Sequence, residues 1–235
     1  RRDGDQRPLV ETQEVAHERS RVRRESFRHG LGIGTALVGA VREAIGAKGV
    51  KRLWAVTTND KKSGNNFLEY SHSIGLTAME GRGFYYPSDA VINQNNQLLV
   101  VNRALEGDTR GVRVTICSMQ SEFYGTFASF GADDGGLIWP TSIAVDSEGL
   151  IYISDEFTHR ISVFNHSGDF QSKWGVHGQR NGELDGPSSI NFDNDENMFV
   201  VDHRNNRIQK FTKDGSLLGS FGQAGDGDGE FDLPW

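Results

Sequence analysis

The chain reads as mainly β, a partial β-propeller of about three blades with four short strands each, preceded by a small α/β segment. Two observations carry this reading. First, the sequence repeats: Trp139-Pro140-Thr141-Ser142-Ile143 returns 47 residues later as Gly186-Pro187-Ser188-Ser189-Ile190, and Leu233-Pro234-Trp235 opens another copy. The same step joins Asp155 to Asp202, Arg160 to Arg207, Phe164 to Phe211 and Gly168 to Gly215. Self-similarity at such a period marks an array or a propeller. Second, each copy consists of short apolar runs divided by turn residues, which is the pattern of successive short strands.

Composition sets the outer bounds. The 235 residues include 29 glycines, as turn-rich β structure requires, and one cysteine, Cys117, which excludes an intrachain disulfide. No run is apolar for long enough to form a membrane-spanning helix. The chain opens without a methionine or a signal-peptide pattern and stops inside a repeat, so it is expected to be a piece of something longer. Charge is uneven: residues 1–81 carry 14 Lys and Arg against 10 Asp and Glu, whereas 82–235 carry 11 against 22. An acidic propeller is a poor partner for phosphate backbones, so nucleic acid is not expected as a ligand.

Residues 1–27 are rich in Arg and Glu, including Arg19, Arg21, Arg23 and Arg24, and poor in apolar side chains. A solvated, disordered segment is expected there. From Arg28 the text changes. His29-Gly30-Leu31-Gly32-Ile33-Gly34-Thr35 is a glycine-rich turn running into a helix, with Leu37, Val38, Val41, Ala44 and Ile45 at helical spacing. A strand, Arg52 to Thr57, follows and ends near Asn59. Free N–H groups at a helix N-terminus suit a pyrophosphate.

This loop–helix–strand over 28–68 resembles the acetyl-CoA-binding core of GNAT N-acetyltransferases. The resemblance implies an acetyl-CoA cofactor held by His29, Gly30, Gly32, Ile33, Gly34, Thr35 and Asn59, an acyltransferase activity, and a cytoplasmic location. His29 replaces the family's Arg or Gln. The family's tyrosine acid would fall near Leu68, so no catalytic residue is assigned. The strands and helices that the family places upstream have no counterpart in 1–27, which makes the segment a truncated one. Residues 69–81 read as a linker.

The first blade opens at Gly83-Phe84-Tyr85-Tyr86-Pro87 and is diverged. Pro87 stands 53 residues before Pro140, but Arg113 stands 47 before Arg160, so six extra residues lie around Ala104 to Gly111. In the second, strands are expected at Ser142–Val145, Leu150–Ser154, Arg160–Phe164 and Phe170–Trp174. The third repeats them at Ser189–Phe192, Asn197–Val201, Arg207–Phe211 and Ser216–Phe221. Its run from Asp202 to Phe211, DHRNNRIQKF, resembles the signature of NHL repeats, a likeness that extends over about 82–235. That family implies a ring of about six blades, a scaffold for a protein or small-molecule ligand on one propeller face.

Candidate sites fall on loops. Asp155 with Arg160, and Asp202 with Arg207, flank the turn between second and third strands and read either as polar ligand contacts or as a repeated structural ion pair. His159 and His203 lie in the same turns. NHL-like lyases and related propeller hydrolases take metal ligands from such loops, so both histidines are metal candidates. Asp226, Asp228 and Glu230 alternate along a glycine-rich loop and could offer oxygens to calcium, or simply form a solvated repeat loop. Phe130, Trp174 and Phe221 are expected in the blade-to-blade core. Three functions stay open: a binding scaffold, an acetyl-CoA-dependent N-acyltransferase, and a metal-dependent propeller lyase or lactonase.

Overall fold

A computed structural model describes residues 74–75, 81–104 and 109–235. The glycine loop His29–Thr35, Asn59 and the helix and strand expected with them lie outside the described residues, as do most of the linker positions.

Three four-stranded antiparallel sheets follow one another along the chain, each a simple meander. The first holds β1 (Pro87–Ile92), β2 (Leu98–Asn102), β3 (Arg113–Cys117) and β4 (Phe123–Phe127). Two short strands, β5 (Ser129–Phe130) and β6 (Gly136–Leu137), pair in parallel and close the connecting loop. The second sheet holds β7 (Pro140–Val145), β8 (Ile151–Asp155), β9 (Arg160–Phe164) and β10 (Phe170–Trp174). The third holds β11 (Pro187–Phe192), β12 (Met198–Asp202), β13 (Arg207–Phe211) and β14 (Leu217–Phe221). A last parallel pair, β15 (Gln223–Ala224) and β16 (Glu230–Phe231), repeats the β5–β6 closure. This is the blade arrangement expected of a partial propeller. The strands expected at Arg160–Phe164, Phe170–Trp174 and Arg207–Phe211 match their observed limits, and the others differ by one or two residues at one or both ends.

Burial explains the texture of the sequence. Every residue of β8 and β9 is buried, because sheets pack on both of their faces, and apart from Asp155 and Arg160 at their ends both strands read as apolar or small runs. The outer strand β10 has only its two ends partly covered, and it carries Gln171, Ser172 and Lys173 between them. Leu99, Val101, Val114 and Phe127 of the first sheet meet Ile143, Ile151, Ile153 and Phe164 of the second. Tyr152, Ile161 and Val163 on the other face of the second sheet meet Ile190, Met198, Val200 and Phe211 of the third. Each such fully buried side chain contributes about 1.5–3 kcal/mol.

The aromatic assignment needs correction. Phe130 and Phe221 are exposed, at 48% and 51%, whereas Trp174 packs on Phe211 with ring centroids 5.0 Å apart. The repeat step places Phe127, not Phe130, in register with Trp174, and Phe127 packs against Phe164 at 5.2 Å. Phe221 has the equivalent place on β14, where its ring meets Phe231 of β16 at 6.2 Å, but among the described residues no four-stranded sheet covers it.

The turns between strands are built by side chains that imitate backbone. Asn93, Asp146 and Asp193 each accept two N–H bonds, from residues two and four ahead, at 2.8–3.0 Å. Gly168 and Gly215 close the turns between third and fourth strands at φ 87° and 86°. Both also let an aromatic from the preceding sheet pass: a Cβ would stand 2.5 Å from Phe127 at Gly168 and 2.6 Å from Trp174 at Gly215.

Neighbouring sheets are tied at their first strands. Ser88 Oγ donates to Pro140 O at 3.2 Å, Thr141 Oγ1 to Pro187 O at 3.0 Å, and Ser188 Oγ to Pro234 O at 3.5 Å. Among the described residues no helix is long and apolar enough to cross a membrane.

Candidate functional site

Because each sheet is an antiparallel meander, the start of its first strand, the turn between its second and third, and the loop to the next sheet share one end. That loop face carries all of the sequence-predicted positions that the structure describes.

A conserved geometry within the repeat frames it. The last residue of the second strand lies opposite the first of the third: Asn102 opposite Arg113, Asp155 opposite Arg160, Asp202 opposite Arg207. The Asn or Asp oxygen accepts the N–H two residues ahead of the strand-opening proline: from Tyr85 at 2.8 Å, Ile138 at 2.6 Å and Asp185 at 2.6 Å. The arginine donates to the carbonyl four residues ahead of it: Gly83 at 2.9 Å, Gly136 at 3.0 Å and Glu183 at 2.8 Å.

Asp155 and Asp202 are fully buried, and Arg160 and Arg207 are 9% and 8% exposed. Arg207 Nε reaches Asp202 Oδ2 at 2.7 Å. Arg160 instead gives its guanidinium to the carbonyls of Ala132, Asp133 and Gly136, while Asp155 accepts backbone N–H groups of Ile138, Trp139, Phe157 and Thr158. These four side chains bond to the loop that precedes each first strand.

Immediately after Asn102, Asp155 and Asp202 come Arg103, Glu156 and His203, which occupy one repeat position with three different chemistries. Glu156, with its side chain 9% exposed, accepts from Arg204 Nη2 at 2.7 Å and from Arg103 Nη2 at 3.3 Å. Arg204 extends the chain to Asp185 Oδ1 at 3.3 Å. The Arg103 guanidinium lies over the Trp139 ring at 4.6 Å and near the Trp235 ring at 5.8 Å. Burial lowers the Arg103 pKa, and the Glu156 carboxylate opposes that shift. Trp139, Phe157 and Trp235 remain 44%, 56% and 58% exposed on this face. Arg103, Glu156, Arg204 and Trp139 escape reading by motif. For Arg103 and Glu156 the signal in the sequence is a repeat position that varies in charge directly after the Asn or Asp that ends the second strand.

The two predicted histidines part company. His203 Nδ1 lies 2.9 Å from Pro234 O, and its ring meets Trp235 edge-on at 5.3 Å. His159 stacks on His177 at 4.0 Å, and each ring has a nitrogen near Asp185 Oδ1, at 3.5 and 3.6 Å. Among the described residues, His159, His177 and Asp185 bring three donor atoms within 4.8 Å of one another, close enough to hold a metal ion. Two features act against an ion there: His159 Nδ1 already accepts the Gly186 N–H at 3.0 Å, and Asp185 is paired with Arg204. Burial, then the neighbouring His177, lowers the His159 pKa, which favours the neutral ring.

Asp226, Asp228 and Glu230 lie together on the last loop but do not converge as that trio does. Glu230 accepts from the Gly227 N–H at 2.9 Å and from Gln223 Nε2 at 2.8 Å, while Asp226 and Asp228 are exposed. The Gln223 bond is the main cause that lowers the Glu230 pKa.

Comparison with known proteins agrees with this repeat geometry. Residues 137–164, which span β6 to β9, match the family model for the NHL repeat. A comparison with curated protein sequences gives no match. Solved structures with a similar course include the hydrazine synthase of Kuenenia stuttgartiensis, 17% identical with a TM-score of 0.44, matched over 61% of this chain and 37% of that one. Virginiamycin B lyase from Staphylococcus aureus is 14% identical, with a TM-score of 0.41 over 56% of this chain and 39% of that one. A protein of Bacteroides fragilis is 14% identical, with a TM-score of 0.46 over 62% of this chain and 40% of that one. The chain thus spans about two fifths of the length of each. What the family match establishes is one NHL repeat, at residues 137–164.

Proposed function

We propose that the chain is an NHL-repeat β-propeller scaffold that binds a protein or small-molecule ligand on its loop face. One observation carries this reading: Trp139, Phe157 and Trp235 are all exposed at that end, around the half-buried Arg103–Glu156–Arg204 chain. Exposed aromatic and arginine side chains together are the composition of binding hot spots. The test is selection of a displayed peptide library on the immobilised chain. Binders should be enriched, and they should be lost on Trp139→Ala and Phe157→Ala but kept on Glu148→Ala at the opposite end. Enrichment indifferent to the two aromatic substitutions would sink the proposal.

A second reading, a metal-dependent lyase or lactonase, is favoured by the approach of His159, His177 and Asp185. An ion taken by His159 Nδ1 must displace the Gly186 N–H. Cobalt(II) titration tests it: a visible absorption band lost on His177→Ala supports the site, and a featureless spectrum removes it.

A further inference from the structure

Four arginines stand at comparable depth on the loop face, and three of them spend their donors on the fold. Arg160 donates to three backbone carbonyls. Arg207 donates to Asp202, Asn181, Arg180 O and Glu183 O. Arg113 donates to Gly83 O and Gly111 O. Arg103 differs: its side chain is 17% exposed, and its one hydrogen-bond acceptor among the described residues is Glu156, at a long 3.3 Å. A guanidinium has five N–H donors in a planar fork, so among the described residues most of that fork has no protein acceptor. Two indoles hold it in place, Trp139 at 4.6 Å and Trp235 at 5.8 Å.

The geometry points to Arg103 as the reader of a ligand carboxylate, with Trp139 and Trp235 taking the apolar or planar group next to it. This rests on the loop face being the binding face proposed above. A carboxylate is the chemistry that matches the open fork, because it can accept two parallel N–H bonds from one guanidinium. The rings do the rest. They exclude water from one side of Arg103, which strengthens a charge-assisted bond, and they restrict the side chain so that little freedom is lost on binding. Glu156 does not compete strongly, since its shorter bond, at 2.7 Å, goes to Arg204. Its second oxygen orients Arg103 without filling the fork. A basic ligand meets the opposite situation, because Glu156 is 9% exposed and already shared by two arginines.

The carboxylate could belong to a small molecule or to the end of a peptide, and four probes separate these sources. They are indole-3-acetate, indole-3-acetamide, a short peptide ending in Phe with a free carboxylate, and the same peptide as its amide. Binding is followed by NMR of the tryptophan indole N–H groups in the full chain. Acids should bind roughly tenfold to a hundredfold more tightly than their amides, the usual value of a charge-assisted hydrogen bond. Binding by both acids marks a site open to either source, and binding by the peptide acid alone marks a chain terminus. Arg103→Gln should abolish the preference for acids while keeping the melting temperature. Trp139→Ala, at an exposed position, should weaken acids and amides alike.

Acids and amides binding equally, with Trp139 still required, would overturn the carboxylate role and leave the loop face as the binding face. No binding by any probe would also overturn it, and the peptide selection then decides the broader proposal independently. A preference for acids that survives Arg103→Gln would overturn the assignment to this residue.

Discussion

Asp202 Oδ2 stands 2.7 Å from Arg207 Nε in a site where the carboxylate is fully buried, and the same carboxylate group accepts the Asp185 N–H at 2.6 Å. The pair fastens the second and third strands of one sheet to the loop that leads into it. Asp202→Ala strands a buried guanidinium and a backbone N–H together. Loss of about 3–5 kcal/mol is expected, the cost of breaking a buried pair from one side. Asp202→Asn should cost clearly less, because Asn102 fills this position opposite Arg113 in the first sheet. Urea unfolding of both variants checks the order, and equal losses would refute it.

Glycine is required in unequal degree along the chain. Gly168→Ala puts a Cβ 2.5 Å from Phe127 at a φ of 87°, so strain and collision coincide. Gly149 has a φ of 86° but only Gln94 Oε1 at 3.7 Å, and the equivalent Asn96 and Glu196 adopt positive φ themselves. Gly168→Ala should cost more than about 2 kcal/mol and Gly149→Asn less than about 1 kcal/mol. Thermal melts of the two variants decide it.

Acid sensitivity should arise in part from Glu196. Bonds from Lys213 Nζ, at 2.6 Å, and from Ser147 hold its pKa down to about 2. The folded state therefore keeps this carboxylate ionised where the unfolded chain has begun to bind a proton. The contribution is complete above the ordinary glutamate range and is lost as pH falls from there towards about 2. Lys213→Met should flatten the fall in melting temperature across that window, and an unchanged slope would count against the link.

His159 works in the other direction of charge but with the same result. Burial and His177 lower its pKa, so the unfolded chain takes up a proton before the folded one does. Stability is full above the ordinary histidine range and declines as pH falls through it. Asn206 is the equivalent residue in the next repeat, and its Oδ1 accepts the Leu233 N–H at 2.6 Å as His159 Nδ1 accepts that of Gly186. His159→Asn should thus preserve the fold at neutral pH and remove this part of the pH dependence. Melting curves between pH 5 and 8, the span in which histidine titrates, would show it; a variant as pH-sensitive as the parent would contradict it.

Cys117 offers a simpler check of packing. It lies 5% exposed against Leu98 and Val100, and burial raises its thiol pKa to about 11. Alkylation at neutral pH should be slow in the native chain and fast in urea.

The repeat in the sequence determined the local structure, since strands and turns answer to their own residues. Apolar or small runs mark β8 and β9, Asp146 and Asp193 build their turns from their own side chains, and Gly168 and Gly215 supply positive φ. The step of 47 residues carried the correspondence between sheets, and the 53-residue step between Pro87 and Pro140 located the insertion before Arg113. The 47-residue step also aligns Phe127 with Trp174 and Phe221, but only the tertiary structure decided that Trp174 packs on Phe211 while Phe221 stays 51% exposed, because burial depends on the sheet placed opposite. It also decided the partners of each charge. Arg103, Glu156 and Arg204 come from the connections between second and third strands of three successive sheets, and Asp185 and His177 come from the loop between the second sheet and the third. Distances across sheets have no periodicity in the chain, and a guanidinium satisfied by carbonyls is written with the same letter as one left open for a ligand.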